Sequence, residues 1–216
     1  DFRNGALSSH SHGPYKEWYP PLQDESYCIG VDVAEGLSYG DYSCAQVLDS
    51  LGRQVACWHG HIDPFEWGNV VKELGQRFNN AYVIVERNNH GLTTLRRMQE
   101  IGYPNLFVES SVDNAYGDKL TKRGGFLTTS KTKPLIIDNL AAILRQGESG
   151  IADQELVNEL RTYVIDDKGS FNSQSGCYDD RVMAFAIALH GLASMPRPRA
   201  NIIQKRFKSI DAVAGY

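Results

Sequence analysis

Along the chain, short apolar runs alternate with amphipathic stretches, and the spacing of the apolar positions changes from one to the next. Tyr27-Cys28-Ile29-Gly30-Val31-Asp32-Val33 reads as a strand with an acid near its end. Residues 43–49 and 53–61 give two further strand patterns, with Ser50-Leu51-Gly52 as a tight turn between them. Together the three predict an antiparallel meander. Asp63-Pro64 then predicts a helix start, because Asp suits the N-cap and Pro the first turn. Phe65, Val70, Val71, Leu74 and Phe78 follow at helical spacing. Ala81-Tyr82-Val83-Ile84-Val85 is a continuous apolar run that ends at Glu86, the pattern of a central strand covered on both faces.

Residues 91–100 predict a second helix and residues 105–108 another strand. The polar, glycine-containing stretch 110–125 predicts a loop or hairpin. A helix is expected over 130–146, with Ile136, Ile137, Leu140, Ile143 and Leu144 as its core stripe, and a shorter one over 153–161. Asp166-Asp167-Lys168-Gly169 reads as the tip of a hairpin, and residues 180–192 as a last helix of small and apolar residues. This order predicts an α/β fold, a mixed sheet with an antiparallel meander, then parallel strands, and helices on both faces. Such an opening is similar to that of the ribonuclease H-like fold. Residues 1–26 are polar and broken by Pro14, Pro20 and Pro21, and read as an arm or interdomain linker. Residues 27–195 are then the domain, and 196–216 a basic tail with Arg197, Arg199, Lys205, Arg206 and Lys208.

Composition narrows the picture. With 216 residues, 42% hydrophobic and 22% charged, the chain has a globular make-up, which excludes disorder as its main state. No apolar stretch approaches the roughly 18 residues of a membrane-spanning helix, so no membrane partner is expected. The N-terminus lacks the basic-then-apolar order of a secretory signal, so a protein that is not secreted is expected. The first Met is Met98, and the chain reads as a piece of something longer. The four cysteines form no C-x-x-C pair, which disfavours zinc ribbons and redox dithiols and leaves reduced thiols as the expectation. A formal charge of −4 does not by itself predict a nucleic-acid binder.

The candidate chemistry lies in acids at element ends. Asp32 closes the first strand, Glu86 closes the apolar run, and Asp179 and Asp180 open the last helix. Neighbouring parallel strands bring Asp32 and Glu86 close together. Clustered carboxylates raise one another's pKa unless a cation neutralises them, and all-oxygen sites suit Mg²⁺ or Mn²⁺. Taken singly, each acid is as readily a solvated strand end or a helix cap; the joint pattern carries the expectation. Met183, Ala184 and Ile187 place the apolar face of the last helix and favour Asp180 over Asp179 as the ligand. His90, four residues after Glu86, comes near the same cleft, although a helix start is its plainer role. Cys57, His59 and His61 alternate along one strand face, a partial zinc set with no evident fourth ligand.

Four blocks carry a resemblance. Gly30-Val31-Asp32-Val33-Ala34-Glu35-Gly36, followed by Gly40-Asp41-Tyr42-Ser43, resembles the opening motif of the nuclease domain of large terminase subunits, the DNA-packaging motor proteins of tailed phages. Val85-Glu86-Arg87-Asn88-Asn89-His90-Gly91 resembles their second acidic motif. Gly125-Phe126-Leu127-Thr128-Thr129 with Lys131-Thr132-Lys133-Pro134 resembles the intervening segment, and Gly176-Cys177-Tyr178-Asp179-Asp180-Arg181-Val182-Met183-Ala184 the closing motif. Family members often carry His before the paired aspartates, where this chain has Tyr178.

The resemblance implies a ribonuclease H-like, metal-dependent endonuclease that cuts concatemeric double-stranded DNA during genome packaging. Asp32, Glu86, Asp179 and Asp180 are the implied ligands of two Mg²⁺ or Mn²⁺ ions, with Asp41 beside them. The implied partners are DNA, the ATPase domain of the full-length protein, the portal and the small terminase subunit, in the host cytoplasm at the procapsid portal. No G-x-x-x-x-G-K-[ST] loop occurs, so the ATPase motor is absent from this sequence. Arg87, Lys119, Lys122, Arg123, Lys131 and Lys133 are candidate contacts to DNA phosphates, with a solvated loop or helix end as the plain alternative for each. Two rival functions remain open: a Holliday-junction resolvase-like nuclease of the same fold, and a non-catalytic portal- or DNA-docking module. Acids at all three motif positions argue against the second.

Overall fold

The computed structural model describes residues 2–3, 6–7, 13–113, 119–147, 150–165, 171–174 and 176–196, with the backbone alone at 2–3, 6–7, 111–113, 119–121, 165 and 171–172. The basic tail residues from Arg197 onward, the hairpin tip Asp166 to Gly169 and the Lys119 side chain lie outside the described residues.

Eleven strands and five helices are seen among the described residues. β1 (Phe2–Arg3) and β2 (Ala6–Leu7) form a two-stranded ribbon. β3 (Tyr15–Glu17), β4 (Tyr27–Asp32), β5 (Ser43–Asp49), β6 (Gln54–Gly60) and, after α1 (Pro64–Arg77), β7 (Tyr82–Val85) build the main sheet in the order β3-β6-β5-β4-β7. β4, β5 and β6 are the expected antiparallel meander, and β7 runs parallel to β4 with Ile29 opposite Val83 and Val31 opposite Val85. α2 (Gly91–Glu100), the hairpin β8 (Val108–Asp113) and β9 (Lys119–Gly124), α3 (Thr132–Gln146), α4 (Gln154–Thr162), the hairpin β10 (Tyr163–Ile165) and β11 (Phe171–Ser173), and α5 (Asp180–Ser194) complete the chain.

Three local expectations change. The apolar run of β7 is the last strand of the sheet, not a central one. Its outer edge is covered instead by single bridges, Val83 to Leu106 and Glu86 to Phe126, which explains how Val83, Ile84 and Val85 are fully buried. Residues 105–107 pair with β7 only as a single parallel bridge at Leu106 (Val83 N to Asn105 O 2.9 Å, Phe107 N to Val83 O 2.8 Å), and Val108 already belongs to the hairpin strand β8. Tyr15–Glu17, within the segment read as an arm, pairs with β6, and Arg77 locks it there through Glu17 at 2.6 and 2.8 Å.

The sheet alternates its side chains between two apolar layers. Ile29, Val31, Val47, Val83 and Val85 face α1 and α2, packing on Trp67, Val71, Leu74, Leu95 and Met98. Cys28, Leu48 and Ile84 face α5, which is backed by α3 and α4. Asp63 caps α1 as expected, its Oδ1 accepting from Phe65 N at 2.9 Å and Glu66 N at 3.2 Å. Phe65 is 42% exposed rather than buried, its ring under the Arg97 guanidinium, and Trp67 takes the inward place. α5 is buried almost all round and lies close on β4. A Cβ at Gly30 would overlap the Ala184 carbonyl oxygen and the Ala188 backbone, so a residue without a side chain is required there.

Candidate metal centre

Parallel pairing brings two acids to one end of the sheet. Asp32 is the last residue of β4, and Glu86 follows β7 directly, its N–H bonded to Val31 O at 2.8 Å. The two carboxyls are in hydrogen-bonding contact, and burial followed by Glu86, Asp180 and Asp179 pushes the Asp32 carboxyl well above its ordinary range. Asp32 is also held from its own strand end: Val33 N donates to Oδ1 at 3.0 Å and Trp67 Nε1 to its carbonyl at 3.3 Å. The turn after Glu86 closes tightly, since a Cβ at Gly91 would overlap the Glu86 carbonyl oxygen.

The third element is the start of α5. Asp180 is 5% exposed, and burial followed by Asp41 and Asp179 raises its carboxyl to about 7, opposed by a backbone hydrogen bond from Tyr42. Its Oδ2 is buried without a hydrogen-bond partner. Asp179 is more open and stands with Oδ2 3.6 Å from Lys133 Nζ. Both aspartates act on Asp32, so the cluster draws on the pair, and the apolar-face argument for Asp180 alone does not separate them.

His59 lies on the floor of this cluster, Nε2 3.8 Å from Asp180 Oδ2 and 3.2 Å from Arg181 Nη1. Burial, then the Arg181 charge, lowers it to about 3, so it is neutral near pH 7 and its contact with Asp180 is no ion pair. Tyr42 stacks on His59 and His61 with ring centroids 4.5 and 4.0 Å apart, and Tyr178 meets it edge-on at 5.2 Å. Cys57 packs on Cys44, Sγ to Sγ 3.9 Å, and no metal-holding group of three such side chains includes it among the described residues.

No protein-family model matches the chain, and no curated protein matches it. Solved structures do. The large terminase nuclease of thermophilic phage G20c with bound magnesium aligns over 85% of this chain and 90% of that one, at TM-score 0.65 and 21% identity. Its cobalt-bound form gives 0.64 at the same identity. The large terminase nuclease domain of Thermus phage P74-26 gives 0.57 at 22% identity, over 86% of this chain and 89% of that one. The fold is that of the large terminase nucleases, of ribonuclease H-like type.

Whether this chain's residues suit a divalent cation is a question of its own chemistry. The donors are all carboxylate oxygens, one is buried without a partner, and burial with neighbouring carboxylates raises Asp32 and Asp180. That set fits an oxygen-preferring ion such as Mg²⁺ or Mn²⁺. Among the described residues, no group of three or more His, Cys, Asp or Glu side chains is placed so that it could hold a metal ion as it stands.

The remaining candidates are scattered more widely. Asp41 is exposed beside Asp180. His90 turns to Glu35, Nε2 to Oε1 3.5 Å, at the start of α2. Arg87 is spent on structure: it pairs with Glu109 at 2.9 Å and reaches the Gly125 carbonyl at 3.3 Å. Lys122, Arg123 and Lys131 are exposed, and Lys133 lies against Asp179 and the Tyr163 ring. Arg123 shares a surface groove with Arg96, Gln99, Leu92 and Leu127, next to the chain that leaves Glu86. The sequence reading missed Arg96, which looks like any solvated helix residue, and Glu159, which pairs with Arg181. Glu159 carried a signal: it falls three residues after the buried Leu156, so an acid occupies the apolar face of α4.

Proposed function

We propose that this chain is a divalent-metal-dependent endonuclease acting on double-stranded DNA during phage genome packaging. The observation that carries this reading is the meeting of Asp32, Glu86, Asp179 and Asp180 at one end of the sheet. Within that reading, residues 27–195, with the edge strand Tyr15–Glu17 added to their sheet, are the nuclease unit. Asp32, Glu86 and the Asp179–Asp180 pair hold the ions, two of Mg²⁺ or Mn²⁺, with Asp41 at the margin. When bound, such ions supply Lewis-acid activation of a water and stabilisation of the departing 3′ oxygen.

The chain's own residues do the rest. β4 and β7 fix the Asp32 and Glu86 backbones relative to each other through the sheet ladder. Trp67 holds the Asp32 carbonyl from the core, Tyr42 and Tyr178 stand beside His59 next to Asp180, and the α2 groove with Arg96 and Arg123 gives DNA phosphates a cationic path on another side. Lys122 and Lys131 add exposed charge, and His59 stays neutral and serves as packing beside Asp180. No side-chain nucleophile is called for. Among the described residues no helix is long and apolar enough to cross a membrane. Action in the host cytoplasm at the procapsid portal, with the ATPase domain, portal and small subunit as partners, belongs to the same proposal.

The test is cleavage of supercoiled plasmid in Mn²⁺, Mg²⁺ or EDTA by wild type and Asp32→Ala. Nicking and linearisation that need the metal and vanish in Asp32→Ala are expected. A folded wild type that cuts under no condition would point to the docking-module alternative. Cutting confined to four-way junctions would point to the resolvase.

A further inference from the structure

The first turn of α5 has unpaired N–H groups that a helix normally satisfies with its own N-cap side chain. Asp179 holds the cap position, yet its carboxylate makes no capping hydrogen bond. The acceptor comes instead from another helix. Glu159, in the last turn of α4, accepts from Arg181 N at 2.9 Å and Val182 N at 3.4 Å through Oε2. Its other oxygen takes Arg181 Nη1 at 2.6 Å. A cation in the first turn opposes the helix dipole, and Glu159 offsets that charge as well.

Glu159 is itself held from behind. Asp153 caps α4 through Glu155 N at 3.2 Å and lies 3.4 Å from Arg181 Nε, a charge contact without a directed hydrogen bond. Gln54 Oε1 accepts from Ala152 N and Asp153 N at 2.8 Å each, which ties the start of α4 to β6.

We propose that Glu159 is a positioning residue that caps α5 from outside and so leaves the Asp179 and Asp180 carboxylates free for the divalent cation. The inference rests on the nuclease reading above. An aspartate that capped its own helix would turn its oxygens onto the backbone. With the cap supplied by Glu159, Asp179 faces Lys133 and Asp180 faces the cluster.

Two variants separate reach from charge. Glu159→Gln keeps the length and one acceptor oxygen for the α5 amides but loses the charge and the oxygen that takes Arg181 Nη1. Glu159→Asp keeps the charge but is one methylene too short to reach the α5 amides. Mn²⁺ is titrated into wild type and both variants, followed by the thermal midpoint and, separately, by plasmid cleavage. Half-saturating Mn²⁺ is expected to rise about tenfold or more in Glu159→Asp and to stay within about threefold of wild type in Glu159→Gln, in both readouts. A role limited to folding lowers the metal-free midpoint without moving the half-saturation point.

Equal half-saturation in all three proteins overturns the inference, as does a larger rise in Glu159→Gln than in Glu159→Asp. If Glu159→Asp does not fold, a tenfold rise in Glu159→Gln still overturns it. A wild type that neither shifts with Mn²⁺ nor cuts sinks the nuclease reading itself, and that outcome is visible without any variant.

Discussion

Gly30 of β4 lies against Ala184 of α5 with no room between them for a methyl group. Two residues further along β4 stands Asp32, and one turn back along α5 stands Asp180. The close approach of strand and helix therefore sets the spacing of two acids in the cluster. Gly191, nearer the other end of α5, makes a similar approach to Ile84 and Cys28.

Gly30→Ala is expected to lift α5 off the sheet. Overpacking of this kind costs about 1–3 kcal/mol, and here the obstacle is backbone, which cannot rotate away. Urea unfolding should show the loss directly. The raised Asp32 and Asp180 pKa values should fall together as lifting α5 exposes both carboxyls, since burial is the first cause of each shift. An unchanged midpoint would show that β4 and α5 have slack the packing does not reveal.

The order of elements and two of the acids were legible because local rules and global packing agree. Asp63-Pro64 fixed the start of α1, the Ser50-Leu51-Gly52 turn fixed the β5–β6 hairpin, and Asp32 and Glu86 were marked by apolar runs that stop at a charge. What stayed hidden depends on contacts distant in sequence. Tyr15–Glu17 forms a strand because β6 offers a free edge and Arg77 a partner, neither visible in a stretch punctuated by proline. β7 reads as central because bridges from Leu106 and Phe126 cover its edge as a further strand would. The preference for Asp180 over Asp179 rested on the helix face alone, which says nothing of a cap delivered by Glu159.

Stability without metal should carry two opposing pH slopes. Burial and then Asp41 raise the Asp180 carboxyl from 3.8 to about 7, so the folded state holds that proton more tightly. Its contribution is full below pH 3.8 and is lost as pH rises through 7. Burial and Arg181 lower His59 from 6.5 to about 3, so the folded state sheds that proton. Its contribution is present above pH 6.5 and is lost as pH falls toward 3. Urea melts in EDTA at pH 4, 6 and 8 isolate each. Asp180→Asn should gain on wild type from pH 4 to 8, and His59→Asn should gain from pH 8 to 4. A difference that is constant with pH, in either variant, would refute the corresponding assignment.

Divalent metal should reverse the first of these slopes. A ligand at a hundred times its dissociation constant stabilises by about 2.7 kcal/mol, which is a rise in thermal midpoint of roughly 5–10 °C for a domain of this size. The rise with Mn²⁺ should be larger at pH 8 than at pH 5.5, because the carboxylates must ionise to bind. Glu86→Gln and Asp32→Asn should lose most of it. Calorimetry that finds the same midpoint with Mn²⁺ and with EDTA at pH 8 would argue against a metal centre here.

The exposed arginines of the α2 groove make the last prediction. DNA affinity should fall with salt, and each phosphate contact contributes about 0.9 to the slope of log K against log salt. Arg96→Gln and Arg123→Gln should each flatten the slope by about that amount and weaken binding on any sequence alike. Arg87→Gln should behave differently. Its guanidinium is committed to Glu109 and the Gly125 carbonyl, so its loss should lower stability and leave the slope unchanged. The three arginines lie within one groove and differ chiefly in whether the protein has already neutralised them. Equal slopes for all three variants would mean that phosphates run elsewhere. A flattened slope in Arg87→Gln alone would mean that DNA displaces Glu109 and draws Arg87 toward the phosphate beside Glu86.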